Sequence, residues 1–232
     1  MPTSFTNYFS KKELLLWCSS VILIVISFCL FDKENYSTLL ASLVGVTSLI
    51  FCAKGNPFGQ FLMVIFSLIY GVISYTFAYY GEMITYLGMT LPMSVFALIS
   101  WLKNPYNGNR SQVQINHIKR GEYFFALILT AIVTVIFYFI LKALHTANLA
   151  PSTFSVTTSF LAVYLSFRRS PYFALAYAAN DIVLIVLWIL ASMTDIRYFS
   201  VVVCFLAFLV NDLYGFYNWK KMHRKQMKTA VS

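Results

Sequence analysis

Eight apolar runs, at about 13–31, 37–53, 58–80, 83–102, 122–144, 152–167, 171–193 and 196–219, account for most of this sequence. A helical run of that length crosses the roughly 30 Å hydrocarbon core of a bilayer. With 59% hydrophobic residues, 11% charged residues and a mean hydropathy of +0.72, the 232-residue chain has too little polar surface to cover a water-soluble globule. A spanning backbone must satisfy its own hydrogen bonds, and the runs lack the alternating polarity of barrel strands. The expectation is an all-α integral membrane protein with eight transmembrane helices in a single membrane domain, 1–232. The first run follows Lys11 and Lys12 as a signal peptide would. It is long, however, and Phe31-Asp32-Lys33-Glu34 is a poor cleavage site, so a retained helix is expected.

Residues 37–103 and 152–221 each contain three of the runs and can be laid over one another. Ser37-Thr38 falls on Ser152-Thr153, Pro57 on Pro171 and Trp101 on Trp219, with an offset that drifts only from 115 to 114 to 118 residues. An N-terminal helix at 13–31 precedes the first block, and a single helix at 122–144 separates the two. Units joined by one linker helix begin on the same side of the membrane, so the repeats are parallel, a 3+1+3 arrangement as in sugar carriers of the SWEET type. Carriers built this way hold their solute near the midplane, between the copies. The polar stretch from Lys103 to Arg120, with Asn-Pro and Asn-Gly turn signals, reads as a linker too short to be a domain.

The net charge of +9 follows the topology. With eight crossings, fourteen of the seventeen Lys and Arg residues share one side, and only Lys33, Lys142 and Arg197 lie on the other. The positive-inside bias puts both termini in the cytoplasm. The basic tail reads as an anchor to lipid headgroups, and nucleic acid is not needed to explain it. The three histidines fall at or beyond helix ends, no hydrolase or metal motif is present, and Cys18, Cys29, Cys52 and Cys204 lie unpaired in apolar runs as core fillers. No enzyme, cofactor or metal site is expected.

Polar groups in hydrocarbon are costly, about 2.5–3.5 kcal/mol for a central Asp, and so mark function. The two deep acids, Asp181 and Asp212, each follow an asparagine. Tyr177, Asp181, Leu184 and Trp188 share one helical face with Asn180 at its margin, and Asn211, Tyr214, Gly215 and Asn218 form a stripe on the last helix. The first repeat aligns Ser67 with Asp181, Ser74 with Trp188, and Met93-Ser94 with Asn211-Asp212. The candidate substrate-binding set is Asn180, Asp181, Trp188, Asn211, Tyr214, Asn218, Ser67 and Ser94, against the alternative that these groups only tie helices together. Amides and aromatic faces without a buried cation suit a flat, hydrogen-bonding heterocycle and do not suit a phosphate.

Tyr79-Tyr80-Gly81-Glu82-Met83, Leu91-Pro92-Met93, Trp101-Leu102-Lys103-Asn104 and the final Asn211–Trp219 segment (NDLYGFYNW) resemble the PnuC family of vitamin transporters. The resemblance covers essentially the whole chain. It implies a carrier for nicotinamide riboside, with the pyridine ring near Trp188 and the ribose near Asn180 and Asn211. It also implies a homotrimer in the bacterial inner membrane, passing the nucleoside without ion or ATP coupling, with uptake drawn forward by cytoplasmic phosphorylation. Tyr86 and Ser94 stand where several family members carry amides, which leaves thiamine, riboflavin or a deoxynucleoside as alternative substrates. A non-transporting receptor or assembly subunit is the alternative from another class.

Overall fold

The computed structural model describes residues 8–76, 80–146 and 148–229; Tyr79 of the Tyr79–Met83 segment lies outside them. Among the described residues are eight long helices: α1 (Lys11–Phe31), α2 (Tyr36–Ala53), α3 (Pro57–Thr76), α4 (Tyr80–Lys103), α5 (Arg120–Ala143), α6 (Leu149–Phe167), α7 (Tyr172–Ser192) and α8 (Phe199–Thr229). Seven of the helical segments are long and apolar enough to span a bilayer. The exception is α6, where Ser152, Thr153, Ser155, Thr157, Thr158 and Ser159 dilute the apolar residues. Those hydroxyls are tolerated because they bond backwards to carbonyls of their own helix, as Thr153 does to Leu149 and Thr157 to Thr153, or inwards to a side chain.

Local chemistry sets the helix ends. Ser10 and Glu13 form a capping box at the start of α1. Pro57 opens α3, where its missing N–H costs nothing, and the Asn56 carboxamide accepts from Phe58 N at 2.9 Å. α2 and α6 stop in the same way: Gly55 (φ +68°) and Arg169 (φ +56°) take the left-handed conformation that closes a helix C-terminus. Within α4, Thr85–Thr90 forms a π-helical turn just before Pro92, which cannot donate to the carbonyl four residues back; widening the turn accommodates that loss.

α8 packs against α7, α2 and α1, while α6 packs against α7, α5 and α4; α3 lies between α2 and α4. The polar linker is more ordered than turn signals alone suggest. It forms a hairpin, β1 (Pro105–Tyr106) and β2 (Asn109–Val113), turning at Asn107-Gly108 with positive φ at both residues. It then runs across the end of the bundle: Val113 N donates to Gly55 O at 2.8 Å and Asn116 N to Arg169 O at 3.1 Å. Between these points the buried Gln226 amide accepts from Ile115 N and donates to Val113 O, so α8 continues past the apolar run as an ordered helix. Two of the four cysteines are not core fillers. Cys18 and Cys29 are exposed on the outer face of α1, and only Cys52 and Cys204 are buried. The physical reason is that an apolar run in a membrane has a lipid-facing side as well as a packed one.

At this same end, Trp101 and Trp219 are fully buried with ring centroids 5.2 Å apart. Trp101 Nε1 donates to Ser166 O at 2.8 Å, and Trp219 Nε1 donates to Cys52 O at 2.7 Å. Phe173 meets both rings edge-on. Truncating a fully buried tryptophan costs about 3–5 kcal/mol, so Trp101→Ala and Trp219→Ala are each expected to lower the thermal unfolding midpoint in detergent strongly. The corresponding Phe variants should lose far less, since they keep most of the ring volume and forfeit one hydrogen bond.

Candidate functional site

A cavity lies between α2, α3 and α4 on one side and α6, α7 and α8 on the other. Gly45, Leu49, Met63, Phe66, Tyr86 and Thr90 line it from the first group, and Ser159, Tyr177, Asn180, Asp181, Leu184, Phe205, Phe208 and Asp212 from the second. A Cβ at position 45 would stand 2.4 Å from the tip of the Phe208 ring, so a larger residue there displaces that ring. The free volume is about 40 Å³, room for a few waters at roughly 10–15 Å³ each. A nucleoside-sized solute therefore needs the two groups to part.

Polar groups gather on one wall. The Asn180 carboxamide oxygen accepts from Thr158 Oγ1 at 2.8 Å, Ser159 Oγ at 3.0 Å and Ser155 Oγ at 3.3 Å, all from α6. That triple bond set fixes the amide and leaves its nitrogen as the donor end. Asp181, from α7, and Asp212, from α8, line the same cavity. Both are buried, and Asp181 Oδ2 has no hydrogen-bond partner. None of the described lining residues is a lysine, arginine or histidine.

Of the residues singled out in the sequence, Asn180 and Asp181 meet in this cavity. Trp188 lines a second, outer cavity of about 30 Å³ together with Asp32, Asn35, Tyr70, Ser74 and Tyr198. Seven residues separate Asp181 from Trp188, about 10 Å along α7, and buried Leu184 lies between them. Asn211 does not line the central cavity; it donates to Ser20 Oγ at 2.9 Å and Ala207 O at 2.8 Å, tying α8 to α1. The Tyr214 hydroxyl donates to Glu13 Oε1 at 3.0 Å, and Asn218 Nδ2 to Ala53 O at 2.8 Å, both outside the cavity. Ser67 Oγ bonds back to Met63 O at 2.8 Å, and Ser94 Oγ is buried without a partner. Asp212 was not in the sequence-based set, since the stripe through Asn211, Tyr214 and Asn218 faces elsewhere. Consecutive helix positions point about 100° apart, and the stripe that reaches the cavity is Phe205, Phe208, Asp212. Its signal in the sequence is an acid continuing an aromatic face at helical spacing.

Polar ties around the site also cross the bundle in matched pairs. Lys54 Nζ lies 3.1 Å from Glu13, joining the end of α2 to α1, and Arg168 pairs with Glu122, joining the end of α6 to α5. The guanidinium of Arg168 is held above its ordinary pKa by the hydrogen-bonded Glu122 carboxylate. Asn218 reaches Ala53 O, and Ser100 Oγ reaches Phe167 O at 2.8 Å.

An all-helical bundle that crosses the membrane repeatedly and encloses, between two groups of helices, a small cavity with an amide and two carboxyls in its largely apolar wall has the build of a membrane carrier. The family profile described as Nicotinamide mononucleotide transporter matches residues 35–221, and the chain belongs to that family of membrane transporters, which are not enzymes. The chain is 22% identical over 212 residues to the nicotinamide riboside transporter PnuC of Haemophilus influenzae, covering 91% of each. It is 23% identical over 200 residues to the PnuC of Neisseria mucosa, covering 84% of this chain and 76% of the relative. A crystal structure of the vitamin B3 transporter PnuC superposes with a TM-score of 0.79, 19% identity and 94% coverage of both chains, so the fold is shared.

The different placements of Asn180 and Asn211 separate binding from stability. Asn180→Ala is expected to weaken substrate binding at least about tenfold while leaving the protein folded. Asn211→Ala is expected to lower stability by about 1–2 kcal/mol, the scale of an interhelical polar contact, with affinity within twofold. Thermal unfolding and equilibrium binding on the same preparations test both.

Proposed function

We propose that this chain carries nicotinamide riboside across the bacterial inner membrane, with net uptake drawn by phosphorylation in the cytoplasm and neither ATP nor an imposed ion gradient at the carrier. The observation that supports this reading most is the central cavity: an oriented amide, two carboxyls and the Tyr86 and Tyr177 rings, with no cationic side chain among the described lining residues. A mononucleotide would bring a phosphate with no arginine or lysine to receive it. The riboside lacks that phosphate, and the relatives named as nicotinamide riboside transporters favour it over thiamine, riboflavin or a deoxynucleoside.

Two parallel repeats, α2–α4 and α6–α8, rocking about the cavity is the transport movement we infer. Matched contacts support it. α2 packs on α8 as α4 packs on α6, the two tryptophans bond reciprocally to the opposite repeat, and Gly55 and Arg169 close α2 and α6 alike. The Glu13–Lys54 and Glu122–Arg168 pairs extend the correspondence to α1 and α5, which favours a four-helix unit used twice. In this reading both termini lie in the cytoplasm, the outer cavity at Trp188 is an approach site, and Leu184 stands between it and the central cavity. Assembly as a homotrimer is part of the same proposal, and native mass spectrometry in detergent tests it.

Proteoliposomes enclosing a riboside kinase and ATP, at equal pH inside and out, should accumulate labelled nicotinamide riboside well beyond the external concentration, and vesicles without kinase should only equilibrate. Robust uptake of thiamine with none of the riboside overturns the substrate. Trp188→Ala should slow uptake; if it instead breaks the oligomer and leaves binding and transport intact, its role is assembly.

A further inference from the structure

The linker after α4 is held by both groups of helices at once. Its hairpin belongs to the first group: β2 packs on α3 and α4, Gln114 N donates to Asn104 O at 2.8 Å, and Val113 N donates to Gly55 O at the end of α2. The second group grips the same strap at two places. At the corner between α6 and α7, Arg169 O accepts from Asn116 N, and the Arg169 guanidinium donates to Gln114 O and to Ser100 Oγ of α4, each at 3.1 Å. On α8, the Gln226 carboxamide accepts from Ile115 N at 2.8 Å and donates to Val113 O at 3.1 Å, as a neighbouring strand would. A carboxamide can do both because it carries a donor and an acceptor on one planar group. Trp219, Met222 and Gln226 form one buried stripe at helical spacing, while Lys221, Arg224, Lys225 and Lys228 lie on exposed faces of the same helix. Gln112 Nε2 donates to Met222 Sδ at 3.0 Å, and the side chains of Val113 and Ile115 pack into the buried layer of Trp101, Trp219 and Cys52.

We propose that this strap is a latch on one end of the bundle: α2–α4 carry it, Gln226 and Arg169 hold it, and the two groups part at this end only when both holds release. Such a latch rests on the rocking movement proposed above and is independent of which solute is carried. The bonds at Gln226 and Arg169 lie beyond the apolar runs, where water can take the place of either partner, so they bias the closed arrangement without locking it. Release uncovers the layer beneath, in which Cys52 is buried with Gln60 Nε2 3.4 Å from its sulfur. The ordered extension of α8 past Trp219 thereby gains a role in the movement, since its buried stripe is the surface on which the strap closes.

Two native thiols supply the test. Cys52 lies under the strap, and Cys204 is buried in the apolar layer around the central cavity. Full-length proteins keeping only one of the two, with the other cysteines changed to serine, are placed in lipid nanodiscs, and the labelling rate with a hydrophilic methanethiosulfonate is measured with and without nicotinamide riboside. Gln226→Met keeps the side-chain volume and removes both bonds to the strap. Arg169→Gly suits the left-handed backbone that closes α6 and removes the guanidinium. Each substitution should speed labelling of Cys52 about tenfold, the scale of losing two hydrogen bonds, while Cys204 changes by less than about twofold. Equal gains at Cys52 and Cys204 would show a general loosening of the fold and overturn the latch. Cys52 labelled no faster in either variant than in the parent protein also overturns it. In that case the rocking movement stands where Cys52 of the parent reacts, and falls at this end where Cys52 reacts neither with the riboside nor without it.

Discussion

The contact on which the bundle depends is the reciprocal bond of two buried indoles, each to the last turn of a helix on the other side of the molecule. Trp101 at the end of α4 grips the Ser166 carbonyl of α6, and Trp219 on α8 grips the Cys52 carbonyl of α2. An indole in hydrocarbon needs a partner for its N–H, and a carbonyl in a closing helix turn still has a lone pair to offer. Gln60 adds to the same layer, donating to Ser166 Oγ at 3.0 Å and lying 3.4 Å from Cys52 Sγ. One end of the bundle is thereby tied across both groups of helices, and the linker through Val113–Asn116 covers it. Deeper in the bundle the layer around Phe66, Leu184, Phe205 and Phe208 is apolar and encloses the small cavity. Directional bonds concentrated at one end and dispersion contacts around the site suit a carrier whose centre must open.

Inside the membrane most polar groups are satisfied by the nearest available acceptor, usually a carbonyl one turn back, as in Ser42, Thr47, Ser67 and Thr130. Such groups are structural and cheap. The carboxyls of Asp181 and Asp212 have no such local solution, because each carries more oxygen acceptors than its helix has free donors. They come together at one cavity from two helices. The Asn180 amide is the intermediate case: three α6 hydroxyls saturate its oxygen, which orients the nitrogen.

Helix number and the dearth of cations within the apolar runs were legible in the amino-acid sequence because each rests on a one-dimensional quantity: run length and residue type. Asn180 and Asp181 were legible as site residues for the same reason, since polar side chains in an apolar run are rare. The helical stripe through Asn211, Tyr214 and Asn218 was equally visible, but which stripe of α8 faces the centre depends on how α8 is rotated against α1, α2 and α7. The structure turns Phe205, Phe208 and Asp212 inward and gives Asn211 to Ser20 and Tyr214 to Glu13. Periodicity finds faces of a helix; it does not rank two polar faces.

By itself, the sequence determined that this chain lives in a bilayer and that two acids, Asp181 and Asp212, fall within the apolar runs of its last two helices, since run length and residue type are read along one dimension. Only the tertiary structure decided that Asp212 joins Asp181, that Trp188 stands about 10 Å away in a separate cavity, and that the linker ties both groups of helices together. Those outcomes depend on helix rotation and on hydrogen bonds between residues more than a hundred positions apart, such as Gln60 with Ser166, and no local pattern encodes them.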